Sequence, residues 1–506
     1  MATKIPNIED AQLRADIDRS LRHPVMFFFA SGAAWLAVSL VLGIIASAKT
    51  HSPDFLSCCA CFNVGRTMPA HMSTLIYGWG AQAAFGVIIW LMSRLSRQEC
   101  KKSGIILAAG HFWNLMVAIG TLCVLVGSNN FMSGTGIVWM AFPKPIMIAL
   151  AATYFLIGIW AVIAFRVRRG GHIYISQWYL LAALFWFPWI MISGILFSQI
   201  YLGDGHPLMV TASTAWFRSA LMFLFFTPVA AASAYYIAPK VSGRPVYSYS
   251  LAIFGFWALA IVGPWAGMQR MMGTPIPSFM QFLSAGAAVL MIIPAIALFV
   301  NIIKTANSNK DAMSYSPSLR FTVAGAYGML TFTVLGALIS LPGALQYTQF
   351  STAQYGLELT GLLGFFSMCM FGAIYFIVPR ITNREWISAS MISQHFWLTV
   401  YGVTFIALFY TLLGGFMHGY TLEQVGEPTE AAVGRLYPYA IGLTTGFVFL
   451  LIATFMFCCH LLLMWLRLGR RSSHPTLLAR HAHASPHGPE GDLDKLESLD
   501  SNASAN

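Results

Sequence analysis

Three charged residues, Arg218, Arg270 and Glu358, lie inside or beside stretches otherwise fit for a lipid interior. Ionisable side chains within membrane spans are expensive, so they face the interior of a bundle and pair with one another or meet water. Two kinds of chemistry follow. One is a new site, such as an ion path, a proton relay or a quinol pocket. The other is an ion pair that fills space inside the bundle. Arg270 also lies near the end of its apolar run, where a guanidinium reaches water. His71 opens another apolar run behind Met68-Pro-Ala. Its imidazole can bind a metal, or cap and hydrogen-bond at a helix start. Cys58, Cys59 and Cys61 cluster in a loop with His51 nearby. Their spacing matches neither C-x-x-C-H nor a four-ligand zinc site. A local disulfide is the first reading and metal binding the second. His474, His481, His483 and His487 lie near the C-terminus, where a His-rich tract can bind metal or simply be solvated. No Gly-rich phosphate loop, catalytic triad or carboxylate pair accompanies them.

The elements that position these residues are membrane spans. Of 506 residues, 57% are apolar and 9% charged, and the mean hydropathy is +0.67. An ordinary soluble domain has about 25% charged residues. The composition excludes a soluble enzyme, a disordered protein and a nucleic-acid binder. The net charge of +11 and pI near 9.3 come from basic residues between apolar runs, not from a nucleic-acid patch. A spanning helix needs about 20 mostly apolar residues. Twelve such runs cover about 25–47, 71–93, 104–126, 143–165, 175–200, 214–238, 248–268, 277–303, 321–342, 355–379, 393–416 and 437–466. The predicted fold is an all-helical integral membrane bundle. It has a 1–24 cytoplasmic N-terminal segment, a 25–466 membrane domain and a 467–506 tail, basic and then disordered and His-rich. No small-residue cleavage site follows the first run, so it reads as a retained helix rather than a signal peptide.

Loop charges set the expected orientation. Arg14, Arg19 and Arg22 precede the first run; Arg94, Arg97, Lys101 and Lys102 follow the second. The alternation continues through Arg166, Arg168 and Arg169, then Lys240 and Arg244, Lys304, Lys310 and Arg320, Arg380 and Arg384, and Arg467, Arg470 and Arg471. The intervening loops are poor in Lys and Arg, and the one holding Glu423, Glu427 and Glu430 is acidic. Both termini are therefore expected in the cytoplasm. Cys123, Cys369, Cys458 and Cys459 lie in apolar runs as small hydrophobes. Lys144, after Pro143, reads as a helix-end residue whose head reaches the interface.

Three stretches resemble a known family. Arg244-Pro-Val-Tyr-Ser-Tyr249 opens the seventh run, followed by Phe256-Trp-Ala-Leu259 and Trp265-Ala-Gly267. Phe371-Gly-Ala-Ile-Tyr375, Val378-Pro-Arg380 and Arg384-Glu385 close the tenth, and Met68-Pro-Ala-His71 opens the second. Together they resemble subunit I of the haem-copper oxidases, most nearly the C-type (cbb-type) cytochrome c oxidases. The resemblance covers roughly residues 20–465. It implies a twelve-helix membrane oxidase subunit with a low-spin haem, a high-spin haem and a copper held by six histidines. Partners would be the lipid bilayer and membrane-anchored c-type cytochromes or other respiratory subunits, in a bacterial inner membrane.

Carried over one at a time, the implied ligand positions are mostly not histidine. The helix-two position matches His71, a remnant haem ligand. The helix-ten Gly-His-x-His pattern falls on Gly356-Leu-Glu-Leu359, so Leu357 and Leu359 stand at both ligand positions. The copper positions fall on Ser219, Gln269 and Arg270, and the family's cross-linked tyrosine on Gly263. No histidine occurs between His206 and His395, whatever the alignment. The expectation is a cofactor-depleted, structural or regulatory respiratory component, with no catalytic residues, no metal site and no cofactor. Alternatives are a single haem on His71, a working terminal oxidase, or a proton, ion or small-molecule path through the emptied core. Glu358 is expected to pair with Arg218 or Arg270.

Overall fold

The computed structural model describes residues 8–127, 138–169, 172–197, 207–423 and 428–469. Arg470, Arg471, Gln424, Glu427 and the tail histidines His474, His481, His483 and His487 lie outside the described residues.

Among the described residues, twelve helical spans are long and apolar enough to cross a membrane. In order they are span 1 (Gln12–His51), span 2 (Val64–Ser96), span 3 (Ser103–Val126), span 4 (Lys144–Arg166), span 5 (Ile175–Ile195) and span 6 (Pro207–Ser242). Then follow span 7 (Tyr249–Met271), span 8 (Ser278–Asn307), span 9 (Pro317–Ser340), span 10 (Ala353–Thr382), span 11 (Ala389–Glu423) and span 12 (Val433–Trp465). The chain is an integral membrane protein.

The spans form an inner group and an outer ring. The most apolar windows of spans 2, 6 and 10 are 100% buried in protein, whereas those of the other nine are 33–56% buried. Apolar composition alone does not separate the two groups, because lipid-facing and protein-facing residues are equally apolar. Glycines let the helices pack closely: at Gly78 of span 2, an added Cβ would stand 2.6 Å from Trp35 Cβ of span 1. Close backbone approach of this kind draws helices together in lipid.

All three inner spans contain a π-helical segment: Thr74–Gly80, Met222–Phe226 and Thr360–Ser367. Such widened turns recur at functional sites. A hydroxyl stabilises two of them by reaching back five residues, Thr227 to the Met222 carbonyl (2.9 Å) and Ser367 to the Leu362 carbonyl (2.7 Å). Trp79 Nε1 then donates to Ser367 Oγ at 2.7 Å and joins span 2 to span 10.

Two boundaries differ from the sequence expectation. The first helix begins at Ile8 rather than near residue 25. Ile17 and Leu21 are buried on its inward face, so packing continues the helix beyond the apolar run. Span 7 leaves α-helical geometry after Val262 and ends in two 3-10 turns, Gly263–Trp265 and Met268–Met271. Pro264 lacks the amide donor a continuing helix needs.

Candidate functional site, a buried charge cluster

The site lies at the end of the bundle where span 7 finishes and span 10 begins. Span 10 is anchored there by Thr352, whose amide donates to His418 Nδ1 at 3.2 Å. One turn and a half further in, Leu357, Glu358 and Leu359 are all buried. Glu358 is 5% exposed, and both its oxygens are used. Oε1 accepts from Arg218 Nη1 of span 6 at 2.9 Å and from Arg270 Nη1. Oε2 accepts from Trp139 Nε1 at 2.7 Å.

Arg270 is delivered by a turn, not by a helix face. Gly267 has φ +124°, and a Cβ there would stand 2.9 Å from Ser219 Oγ. Only glycine suits both the conformation and the space. The turn directs Gln269 and Arg270 inward. Gln269 Oε1 accepts from the Gly267 amide and from Ser284 Oγ, both at 2.7 Å. Gln349 Nε2 donates to the carbonyls of Arg270 (3.2 Å) and Met272 (2.7 Å) and holds the turn from span 10's approach.

These groups border a cavity of about 40 Å³, room for a few waters. Its walls include Arg218, Ser219, Gln269, Arg270, Leu357 and Glu358. Ser219, Gln269, Arg270 and Leu357 thus converge on one small space although they come from three spans. Leu359 does not line it and is fully buried elsewhere. Residues two apart on a helix point about 200° apart, so the two leucines serve opposite faces of span 10.

His71 is fully buried on span 2. Its Nδ1 lies 2.7 Å from the Ser39 carbonyl, which can only accept, so Nδ1 carries the proton. Nε2 is buried and has no partner. The ring stands edge-on to Phe447 at 5.1 Å and to Tyr355 at 6.5 Å.

The donor set can be compared with what copper and haem need. Copper favours imidazoles. The residues here are a hydroxyl, an amide and a permanently cationic guanidinium that has no lone pair to give. They do not fit copper. Leucine offers iron nothing, so neither Leu357 nor Leu359 fits as an axial ligand. Leu357 and Leu359 therefore do not supply the second imidazole of a haem held between two histidines. His71 Nε2 is one free donor atom of the right chemistry for a haem with a single protein ligand.

Several features carry no signal in the sequence. Trp139 sits in a connecting loop and nothing near it marks it as a partner of Glu358. The Gln269–Ser284 contact joins residues of common type on different spans. The same holds for Tyr375 Oη and His395 Nδ1, 2.8 Å apart. In the loop after span 1, Cys59 and Cys61 form a disulfide and Cys58 is an exposed thiol. His51 is turned away from them, with Nε2 3.0 Å from Thr444 Oγ1. Among the described residues no three His, Cys, Asp or Glu side chains gather as metal ligands. Cys369 is buried, and Lys144 stands exposed in the first turn of span 4.

The family profile described as cytochrome c and quinol oxidase polypeptide I matches residues 23–456. Cytochrome c oxidase subunit 1 of Rhodobacter capsulatus is 26% identical over 68% of this chain; the alignment spans 65% of that protein, just under two thirds of its length. The cbb3-type cytochrome c oxidase subunit CcoN1 of Stutzerimonas stutzeri is 25% identical over 74% of this chain and 79% of its own. A solved heme-copper terminal oxidase dimer shares the fold with a TM-score of 0.64 at 14% identity, covering 92% of this chain and 88% of that one. The chain therefore belongs to the haem-copper oxidase subunit I family, with the twelve-span fold of that family built around a charge cluster.

Proposed function

We propose that this chain is a cofactor-depleted member of its family, acting as a structural or regulatory component of a respiratory membrane complex rather than as its oxygen-reducing subunit. One observation carries the reading. The five positions onto which the family resemblance carries its histidines hold Ser219, Gln269, Arg270, Leu357 and Leu359, and the first four border one cavity beside Glu358. Fold alone does not supply function, and the chemistry must come from the site. A guanidinium repels a copper ion where an imidazole would bind it. The partners that suit this reading are membrane-anchored c-type cytochromes and other respiratory subunits. The setting is a bacterial inner membrane with both termini cytoplasmic, as the loop charges favour.

The test is metal and haem analysis of the purified chain, with reduced-minus-oxidised spectra. The expected result is no copper, no low-spin haem band pair and no oxygen uptake on reduced cytochrome c. Stoichiometric haem and copper with oxygen uptake would overturn the reading.

A second reading is favoured by the unpartnered Nε2 of His71, namely a single haem on that residue. Haem would there supply redox chemistry, and His71 would hold it while Ser39 orients the ring. A haem absorption band in the native chain that is lost in His71→Ala supports it; a native chain without the band rejects it.

A further inference from the structure

The charges around Glu358 do not balance. Two guanidiniums share a single carboxylate oxygen, since Arg218 and Arg270 both bond Oε1. A guanidinium is a cation with no acceptor of its own. Among the described residues, neither arginine has another carboxylate in ion-pair range. The cluster therefore carries one net positive charge inside a membrane bundle. Each guanidinium has five N–H donors and spends one, on Nη1, with the carboxylate; the Nε of each is buried without a partner. Trp139 takes the other carboxylate oxygen, so Glu358 has far fewer acceptor sites left than the two guanidiniums have free donors. Beside the cluster is the cavity of about 40 Å³, with the Ser219 side chain on the same wall.

We propose that this cavity binds a small monovalent anion, such as a halide, nitrate or formate, held by Arg218 and Arg270. The anion neutralises the cluster and accepts hydrogen bonds that the carboxylate cannot. Room for a few waters admits an anion of about one to four heavy atoms. Phe223, Met291 and Phe332 line the cavity's apolar side, which suits a small, weakly hydrated anion better than a large polyatomic one. The inference goes beyond the structural or regulatory role, but rests on the part of that reading that keeps copper out of this cavity.

The experiment uses the full chain in detergent at constant ionic strength, with gluconate replaced stepwise by chloride, bromide, nitrate or formate. The expected result is a saturable rise in thermal midpoint of roughly 2–4 °C for the small anions. Arg270→Gln leaves a neutral Arg218–Glu358 pair, and should abolish the saturable rise without lowering the midpoint in gluconate. Glu358→Gln adds one more uncompensated charge and should tighten anion binding roughly tenfold. This gives a readout of opposite sign if the arginine variant fails to fold. A rise that persists in Arg270→Gln, or no anion dependence at all, overturns the proposal. So does anion dependence that is absent in the native chain and emerges in Asp204→Asn, because Asp204, outside the described residues, would then be the counter-charge. Copper analysis of the same preparation separates this outcome from failure of the functional reading. Bound copper refutes the functional reading, whereas a copper-free chain without anion dependence refutes only the anion site.

Discussion

Leu357 and Leu359 lie on two faces of span 10 whose surroundings are opposite in character. On the face of Leu357 the neighbours are Arg218, Arg270, Gln269 and Ser219, around a small cavity. The other face carries Leu359, fully buried without lining that cavity. Span 10 meets the remaining histidine through Tyr355, which faces the ring of His71 beside Phe447. The first region is polar and closes through charge; the second is apolar and aromatic around a single imidazole. The difference follows from position. Arg270 comes from the end of span 7 and Arg218 from the first third of span 6, and their side chains keep 11% and 20% exposure, so they are not fully enclosed. His71 is sealed completely. The surroundings of each face therefore decide which side chains can stand there.

The comparison predicts a hierarchy of sensitivities. The largest effect is expected for Glu358→Leu, which strands two buried guanidiniums. Breaking a buried ion pair on one side costs about 3–5 kcal/mol. Thermal unfolding of the purified chain should show it, and joint replacement of Arg218, Arg270 and Glu358 by apolar residues should recover most of the loss. If His71→Leu proved as damaging as Glu358→Leu, the contrast between the faces would fail.

Trp139→Phe should rank second. It removes one hydrogen bond to a charged group while keeping most of the ring volume, for a loss of about 1.5–3 kcal/mol. The same unfolding assay measures it. A null result would mean that water replaces the indole donor at Oε2.

His71→Leu should cost less, about 1 kcal/mol, because it deletes an ordinary buried hydrogen bond to Ser39 in an apolar setting. A much larger loss in cells, absent from the purified chain, would point to a ligand lost from Nε2 and would sharpen the contrast in favour of haem.

The smallest perturbation tests which side of the membrane the cluster faces. Cys58 lies in the loop at the same end of the bundle as Arg270, and its thiol is exposed. Cys100 lies in the connection at the other end, where burial pushes its thiol up to about 12. An impermeant maleimide at pH 8 should label Cys58 in intact cells and leave Cys100 unmodified. A cysteine placed at Gln424 should label as Cys58 does. Labelling of both only in opened cells would put the cluster at the cytoplasmic end.

Much of this molecule is written in its residue types. Twelve long apolar runs read as twelve spanning helices, because within one segment only a helix satisfies every backbone group in lipid. The absence of histidine between His206 and His395 needs no coordinates to exclude the ligands those spans would have to supply. Charged residues within spans marked Arg218, Arg270 and Glu358 as interior groups, since lipid exposure would cost too much. Residue types could not say that both arginines share one oxygen of Glu358, or that Trp139 takes the other. Those facts depend on a 3-10 turn at Gly267, a loop laid over the bundle end and the rotation of span 10. Each is a long-range contact between elements whose local sequences are compatible with many rotations. The net charge of the site followed from that assembly, because charge balance is a property of neighbours in space, and neighbours here lie 140 and 88 residues apart in the chain.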